Sequence, residues 1–264
     1  GLEDRYNNLL INDLSAPTNN PFSKIVPLDL FPTNIVGVID VYKTFNPNVY
    51  GDFAGGTFNI QTSKATKSVT KINVGVGYVT GNSLKDFLLS SDADTAAGFF
   101  GFNGKDREIP SFLGPTASKA SFTKEQALNS VSGDKGFNVS KSKSPLNSSF
   151  NLLHSEKFDL SNERSFAYLL SINYDNSYAV REGVDRTLDL QTTGSKYTNN
   201  FVITDYRFKT TTSALLGLNY SANRFKLAFN TLYIKTTLNE IKDQFGQAGG
   251  TAIQNTFIRT NQLD

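Results

Sequence analysis

The chain contains no cysteine, no methionine and a single histidine in 264 residues. Without cysteine there can be no disulfide, zinc–thiolate site, iron–sulfur cluster or thiol nucleophile. The compartment stays open, because a cysteine-free chain is compatible with any redox environment. With no methionine there is no initiator residue, and Gly1 already stands in sequence that reads as folded, so the chain reads as one piece of a longer protein. Long apolar runs are missing as well. No segment approaches the roughly 18 residues of a membrane-spanning helix, and no signal peptide opens the chain. That excludes a helical membrane protein but not a membrane β-barrel, whose apolar residues are spread over alternating positions. The mean hydropathy of −0.31 suits such a wall. A surplus of charge is also lacking: 26 Lys and Arg against 24 Asp and Glu leave a net charge of +2. This balance, with a pI near 8.6, gives no footing for nucleic-acid binding, which calls for a basic patch.

Two textures follow one another along the chain. Residues 1–66 hold Pro17, Pro21, Pro27, Pro32 and Pro47 and three short apolar runs, Asn8–Ile11, Ile35–Val41 and Thr57–Ile60. Turn residues bound each run, which predicts short strands joined by loops. From about Lys67 the period changes to two over long segments. Ile72, Val74, Val76 and Tyr78 share one face of the first segment. Phe166, Tyr168, Leu170, Ile172 and Tyr174 do so in the third. In the fourth the stripe runs through Tyr206, Phe208, Ala214, Leu216, Leu218 and Tyr220, and in the fifth through Phe225, Leu227, Phe229 and Tyr233. The second, Ser148–Leu160, is the weakest, because His154 and Glu156 interrupt Phe150, Leu152, Phe158 and Leu160. Each segment predicts a strand with one apolar and one polar or small face.

Connection lengths alternate. Long stretches at about 81–147, 178–205 and 237–252 alternate with tight turns at Ser161–Arg164 and Ser221–Arg224. Extended loops at one end and tight turns at the other are the habit of an outer-membrane barrel. Aromatic residues gather beside the tight turns (Phe158, Phe166, Tyr168, Tyr220, Phe225) and beside the long loops (Tyr78, Tyr174, Phe208, Tyr233). From Phe166 to Tyr174, strand rise and a barrel tilt give a height of ~20 Å, near the ~25 Å apolar band between aromatic girdles. The four clear stripes carry no Lys or Arg between these girdles. Periodicity alone also fits an antiparallel sheet packed on a soluble core.

The N-terminal texture carries a resemblance. Gly1-Leu2-Glu3-Asp4-Arg5-Tyr6, then Leu9-Leu10-Ile11-Asn12-Asp13, then Leu28 to Ile35 leading into Ile39-Asp40-Val41-Tyr42-Lys43, follow in order. The closing motif is Tyr50-Gly51-Asp52-Phe53-Ala54-Gly55-Gly56-Thr57-Phe58-Asn59-Ile60-Gln61-Thr62. Together these resemble the later plug domain of TonB-dependent outer-membrane receptors over about 60 residues, and the motif matches the end of the family's plug. Asn12-Asp13 departs from the family's usual Asp-Gly, so the turn after the first strand is expected to differ in shape. The resemblance implies a mainly β fold: an α+β plug remnant at residues 1–66, then part of a 22-stranded antiparallel transmembrane β-barrel at 67–264. Five to six strands cannot close such a barrel, so the rest of it, the early plug and the TonB box are expected outside this chain. It further implies a nutrient receptor in the outer membrane of a Gram-negative bacterium, with the TonB energy-transducing system, outer-membrane lipid and a surface lipoprotein or other outer-membrane subunits as partners. A second reading keeps the fold but makes the protein a structural or scaffold subunit of a larger outer-membrane complex. A third is a soluble two-domain β adhesin.

Candidate sites follow from these readings. In the motif Gly51, Asp52, Phe53, Gly55, Gly56 and Asn59 are the residues of interest, the glycines allowing a sharp turn and a close pass by the barrel wall. The connection Leu14–Ile25 corresponds to an apical plug loop in the family, so Asn19, Asn20, Ser23 and Lys24 either face cargo or form a solvated loop held by Pro17 and Pro21. Phe99, Phe100 and Phe102, in the first long connection, are either a ligand-holding cluster at a receptor mouth or packing for that loop. Thr123-Lys124-Glu125-Gln126 has capping-box spacing. Asp92 and Asp94 are too few for a calcium site. His154 has no nucleophile or metal partner in the pattern, and neither a nucleophile elbow nor a phosphate-binding loop is present, so no enzyme, metal or cofactor is expected.

Overall fold

The protein was analysed as a computed structural model that describes residues 6–16, 18, 26, 28, 31–51, 53–102, 123–126, 138–160, 163–188, 197–248 and 253–263. It is mainly β, and its strands form three sheets. The first, in residues 1–66, has four strands in the order β2-β1-β4-β3: β1 Asn7–Ile11, β2 Leu14–Ser15, β3 Val36–Tyr42 and β4 Gly56–Thr62. β1, β3 and β4 coincide with the three short apolar runs, and β2 is a two-residue addition after the turn. β1 lies parallel to β4, which makes β4 central and buries Gly56, Thr57, Asn59, Ile60 and Thr62. Asn12 and Asp13 both take positive φ, 50° and 70°, between β1 and β2. That is the two-residue hairpin geometry that Asn and Asp tolerate and that matches strand twist.

The second sheet has six strands in the order β12-β11-β10-β9-β8-β5, every neighbour antiparallel. Its strands are β5 Val69–Gly77, β8 Asn147–Leu160, β9 Arg164–Leu188, β10 Tyr197–Ala222, β11 Phe225–Ala248 and β12 Gln254–Leu263. The tight turns lie where predicted, at the β8–β9 and β10–β11 hairpins. Two of the expected long loops do not: β9, β10 and β11 run on through most of 178–205 and 237–252. Beyond the apolar stripe these extensions carry Arg181, Glu182, Asp185 and Lys242, yet residue-by-residue pairing continues, as in Arg181 with Asp205 and Asp205 with Lys242. Ladder hydrogen bonds satisfy the backbone whatever the side chains, so a strand outlasts its apolar pattern.

In the remaining long connection, 81–147, the described residues form a folded insert rather than a loop. β6 Asp86–Ser90 pairs with β7 Val139–Lys143 in a third, two-stranded sheet, and the short helix α1 Ala96–Phe99 follows β6. Thr95 caps α1, its Oγ1 accepting the Gly98 amide at 2.9 Å. Further on, Thr123 and Gln126 exchange the reciprocal bonds of a capping box, at 2.8 and 3.2 Å.

Asp86 sits between Lys141 (3.0 Å) and Lys143 on the outside of this hairpin. The hydrogen bond from Lys143, then that from Lys141, brings its carboxyl down to about 2. A depressed acid stabilises the fold above its unfolded value of about 3.9 and loses that contribution as pH falls through about 2. Protection of the β6 and β7 amides, relative to intrinsic exchange at each pH, is therefore expected to fall over this acid range, and Asp86→Asn to remove that pH dependence. A hairpin equally pH-sensitive in Asp86→Asn would refute the assignment.

Candidate functional site

Strict alternation gives the six-stranded sheet two unlike faces, and different parts of the chain cover each. On the inner face Leu169 and Leu215 are buried against Leu9, Ala16, Phe31, Ile35 and Ile60 of the N-terminal unit, with Leu153, Leu232 and Ile234 packed around them. Each fully buried leucine contributes roughly 1.5–3 kcal/mol. Beside this apolar contact lies a polar one. Asn34 Nδ2 donates to Asn173 Oδ1 (2.7 Å) and Ser171 Oγ (3.1 Å), and Asn173 Nδ2 donates to Ser213 Oγ (3.1 Å). Asn173, Ser171 and Ser213 are buried by it.

The motif residues lie inside the N-terminal unit. The amides of Ala54 and Gly55 both bond the Tyr6 carbonyl, at 3.0 and 2.9 Å. A Cβ on Gly55 would stand 2.2 Å from Asn7 Oδ1, and one on Gly56 3.3 Å from the Tyr42 carbonyl oxygen. Gly51 approaches the Phe45 ring. The close approach that demands glycine is thus to β1 and β3 of the same unit, not to the wall of the large sheet as expected. Phe53 is half-buried, and Asp52 lies outside the described residues, as do Asn19, Asn20, Ser23 and Lys24.

Asn59 is buried and clamps the β1–β2 turn: its Nδ2 donates to Asp13 Oδ1 (2.6 Å) and its Oδ1 accepts the Asp13 amide (3.1 Å). Asn12 reaches the end of the same strand, accepting the Thr62 amide at 2.9 Å. The motif's second half and the departing Asn12-Asp13 pair are therefore one construction. Only the two-residue turn signal is local enough to be read from sequence.

Above the N-terminal unit the inner face carries charge. Arg207 Nε lies 2.8 Å from Asp205 Oδ2 and 3.3 Å from Glu240 Oε2, and Arg207 Nη2 donates to Glu240 Oε1 at 3.4 Å. The first contact is an ion pair without hydrogen-bond angles, and Asp205 Oδ1 is buried with no hydrogen-bond partner among the described residues. Register parity puts Asn173, Asp205, Arg207 and Glu240 on one face. None of these four stood out by spacing, because each is an ordinary polar residue of an alternating strand.

The outer face is divided in two. One register row crosses the sheet through Val74, Phe150, Tyr174, Thr212 and Lys235. Beyond it, toward the strand extensions, the insert packs on the middle of the sheet, while Val76 on β5, Tyr78 just after it, and Val184, Val202 and Phe245 farther out stay exposed. Phe87 meets Tyr178 and Tyr206 edge-on at 5.4 Å, Tyr178 stacks on Phe208 at 4.5 Å, and the Ser90 amide donates to Asn239 Oδ1 at 3.2 Å. Phe208, expected among the exposed aromatic residues, is consequently buried. Between this row and the tight turns the face is bare: Ile72, Phe158, Ile172, Phe225, Leu227, Phe229 and Tyr233 are all exposed. The polar interruption there is internally bonded. His154 joins Thr70 and Tyr168, each at 2.8 Å, and Glu156 accepts from Ser68 at 2.9 Å.

Phe99, Phe100 and Phe102 lie at the boundary, on the outer face. Tyr174 Oη donates to the Phe99 carbonyl, and Phe99 and Phe100 contact the Tyr174 ring at 6.0 and 5.3 Å. Lys235 Nζ stands 4.2 Å over the Phe102 ring. Between them Gly101, at φ +75°, lies flat on the sheet: a Cβ would come within 2.4 Å of Thr210 Oγ1 and 3.2 Å of Thr237 Cγ2. Gly101→Ala combines a left-handed cost of about 1–2 kcal/mol with this collision. Gly81→Ala, at φ +89° with nothing within 4 Å, carries the conformational cost alone. Amide exchange of the insert is expected to rise more for Gly101→Ala, and equal effects would show that the contact is dispensable.

Among the described residues no group of three or more His, Asp or Glu is placed to hold a metal ion. No described helix is long and apolar enough to cross a membrane, which says nothing of strands. The class defined by fold and site is a mainly β protein whose large antiparallel sheet is covered on one face by a smaller N-terminal sheet and half-bare on the other. Comparison with protein-family models, curated proteins and solved structures returns no match.

Proposed function

We propose that this chain is part of a TonB-dependent outer-membrane receptor, with the N-terminal unit as the later part of its plug and the six-stranded sheet as part of its barrel wall. The observation that carries this reading is the division of the sheet. Its polar inner face receives the unit bearing the plug-like motif, while its outer face leaves a bare apolar band bordered by aromatic residues. Lipid is the solvent that suits such a band, and an antiparallel wall satisfies its backbone there without water.

On this reading the interface built on Leu169, Leu215 and Asn173 holds the plug in place. A partner pulling on the plug biases a two-state equilibrium between docked and released forms. Asn173, Ser171, Ser213 and the Arg207 cluster offer cargo hydrogen bonds and charge when the plug moves. Nutrient uptake by cells lacking the gene is the direct test, with loss of TonB-dependent uptake as the expected result. Intact uptake with failed assembly of neighbouring outer-membrane subunits would replace transport by the scaffold role. A protein that stays soluble without detergent would remove both.

A further inference from the structure

The insert stops at a row, and what it presents along that row points outward. Phe100 and Phe102 are 50% and 51% exposed, although their neighbours Tyr174, Thr210 and Thr237 are covered. Gly101 pins the segment flat against Thr210 and Thr237, so the rings on either side cannot withdraw over the sheet. The bare band begins at the next residues along the strands, Ile172 and Tyr233. Lys235, on the same row, sets its ammonium over the Phe102 ring.

We infer that Phe100, Phe102 and Lys235 form a lipid-interface anchor, through which the insert rests on the outer leaflet as a collar around the wall. This rests on the membrane reading above and adds the residues that meet the lipid surface. Aromatic rings are favoured at the boundary of the hydrocarbon region, and a lysine there extends its charge toward lipid phosphate while its stem stays in apolar contact. The cation over the ring adds attraction that strengthens as water is excluded. Cargo is a poorer occupant, because the cluster lies on the face opposite the polar inner-face residues Asn173 and Arg207. The anchor would also fix the depth of the wall at the row of Tyr174, Thr212 and Lys235, where the insert meets the sheet.

The chain has no tryptophan, and the difference in emission between each variant and the unsubstituted protein reports the introduced indole alone. The protein carrying Phe102→Trp or Phe100→Trp is reconstituted in vesicles of phosphatidylethanolamine and phosphatidylglycerol with brominated acyl chains. Thr231→Trp, in the middle of the bare band, serves as the reference. The expected result is loss of most emission by bromolipid quenching for all three, with blue-shifted emission and little quenching by aqueous iodide. If Thr231→Trp is quenched by bromolipid while both phenylalanine variants are quenched only by iodide, the anchor is refuted and the membrane reading stands. If Thr231→Trp is reached by iodide alone, the membrane reading fails and the anchor with it. A nitroxide on Phe102→Cys gives the same depth measurement should the indole disturb folding.

Discussion

Thr231→Lys is expected to destabilise the protein in a bilayer by about 2–4 kcal/mol, and Asn230→Lys by a few tenths. Thr231 is exposed in the middle of the bare band, in register with Leu216 and through it with Leu170. Asn230 is its neighbour on the inner face, beside Gly217 and on the same side as Lys226. In water both substitutions are exposed polar-to-charged changes on a strand and should be nearly neutral. In lipid only the first drives an ammonium group into hydrocarbon. Denaturant unfolding from vesicles compares the pair directly. Equal small losses would show that the outer face meets water and would return the sheet to a soluble architecture.

Asn173→Leu is expected to loosen the N-terminal unit rather than the wall. The leucine would remove the 2.7 Å partner of Asn34 Nδ2, leaving it the longer bond to Ser171 Oγ, and would remove the donor to Ser213 Oγ at 3.1 Å, a hydroxyl that is fully buried. Each buried polar group left without a partner costs about 1–3 kcal/mol. Asn34 Oδ1 is also buried without a hydrogen-bond partner among the described residues, so little slack remains on that side. Amide exchange in β1, β3 and β4 should accelerate ~10-fold or more, since each 1.4 kcal/mol is a factor of ten, while protection in β9 and β10 is kept. If the wall strands lose protection and the N-terminal sheet does not, Asn173 serves the sheet itself and the proposed release interface lies elsewhere.

Much of this fold is legible locally. The alternation from Phe166 to Tyr174 and from Ala214 to Tyr220 specifies both a strand and its apolar face, because side-chain direction in a strand reverses at every residue. Asn12-Asp13 between two apolar runs marks a hairpin for a similarly local reason. The insert is illegible by contrast. Asp86 pairs with Lys143 across 57 residues, and β6 and β7 are each five residues long, so neither has enough period to declare itself. The extensions of β9, β10 and β11 were hidden because pairing, not apolarity, holds them. Phe208 shows the limit most plainly: its stripe predicts an exposed ring, and the insert buries it.

The candidate site divides along the same line. Gly55 and Gly56 read as close approaches from sequence, but only the fold shows that Asn7 and Tyr42 are what they approach. Asn59 belongs to a motif, yet its partner Asp13 is 46 residues away. Asn173, Arg207 and Phe102 come together with Asn34, Glu240 and Lys235 only when strands pair and the insert folds back. By itself, then, the sequence determined the apolar stretches of the long strands, which face of each is apolar and where the tight turns fall, since these depend on dihedral preference and a two-residue period. Tertiary structure alone decided that the N-terminal sheet packs on the inner face at Leu169 and Leu215 and that the insert packs on the outer face at Tyr178, Tyr206 and Phe208. Those outcomes rest on contacts between distant segments, whose energy comes from shape and burial that no local pattern encodes.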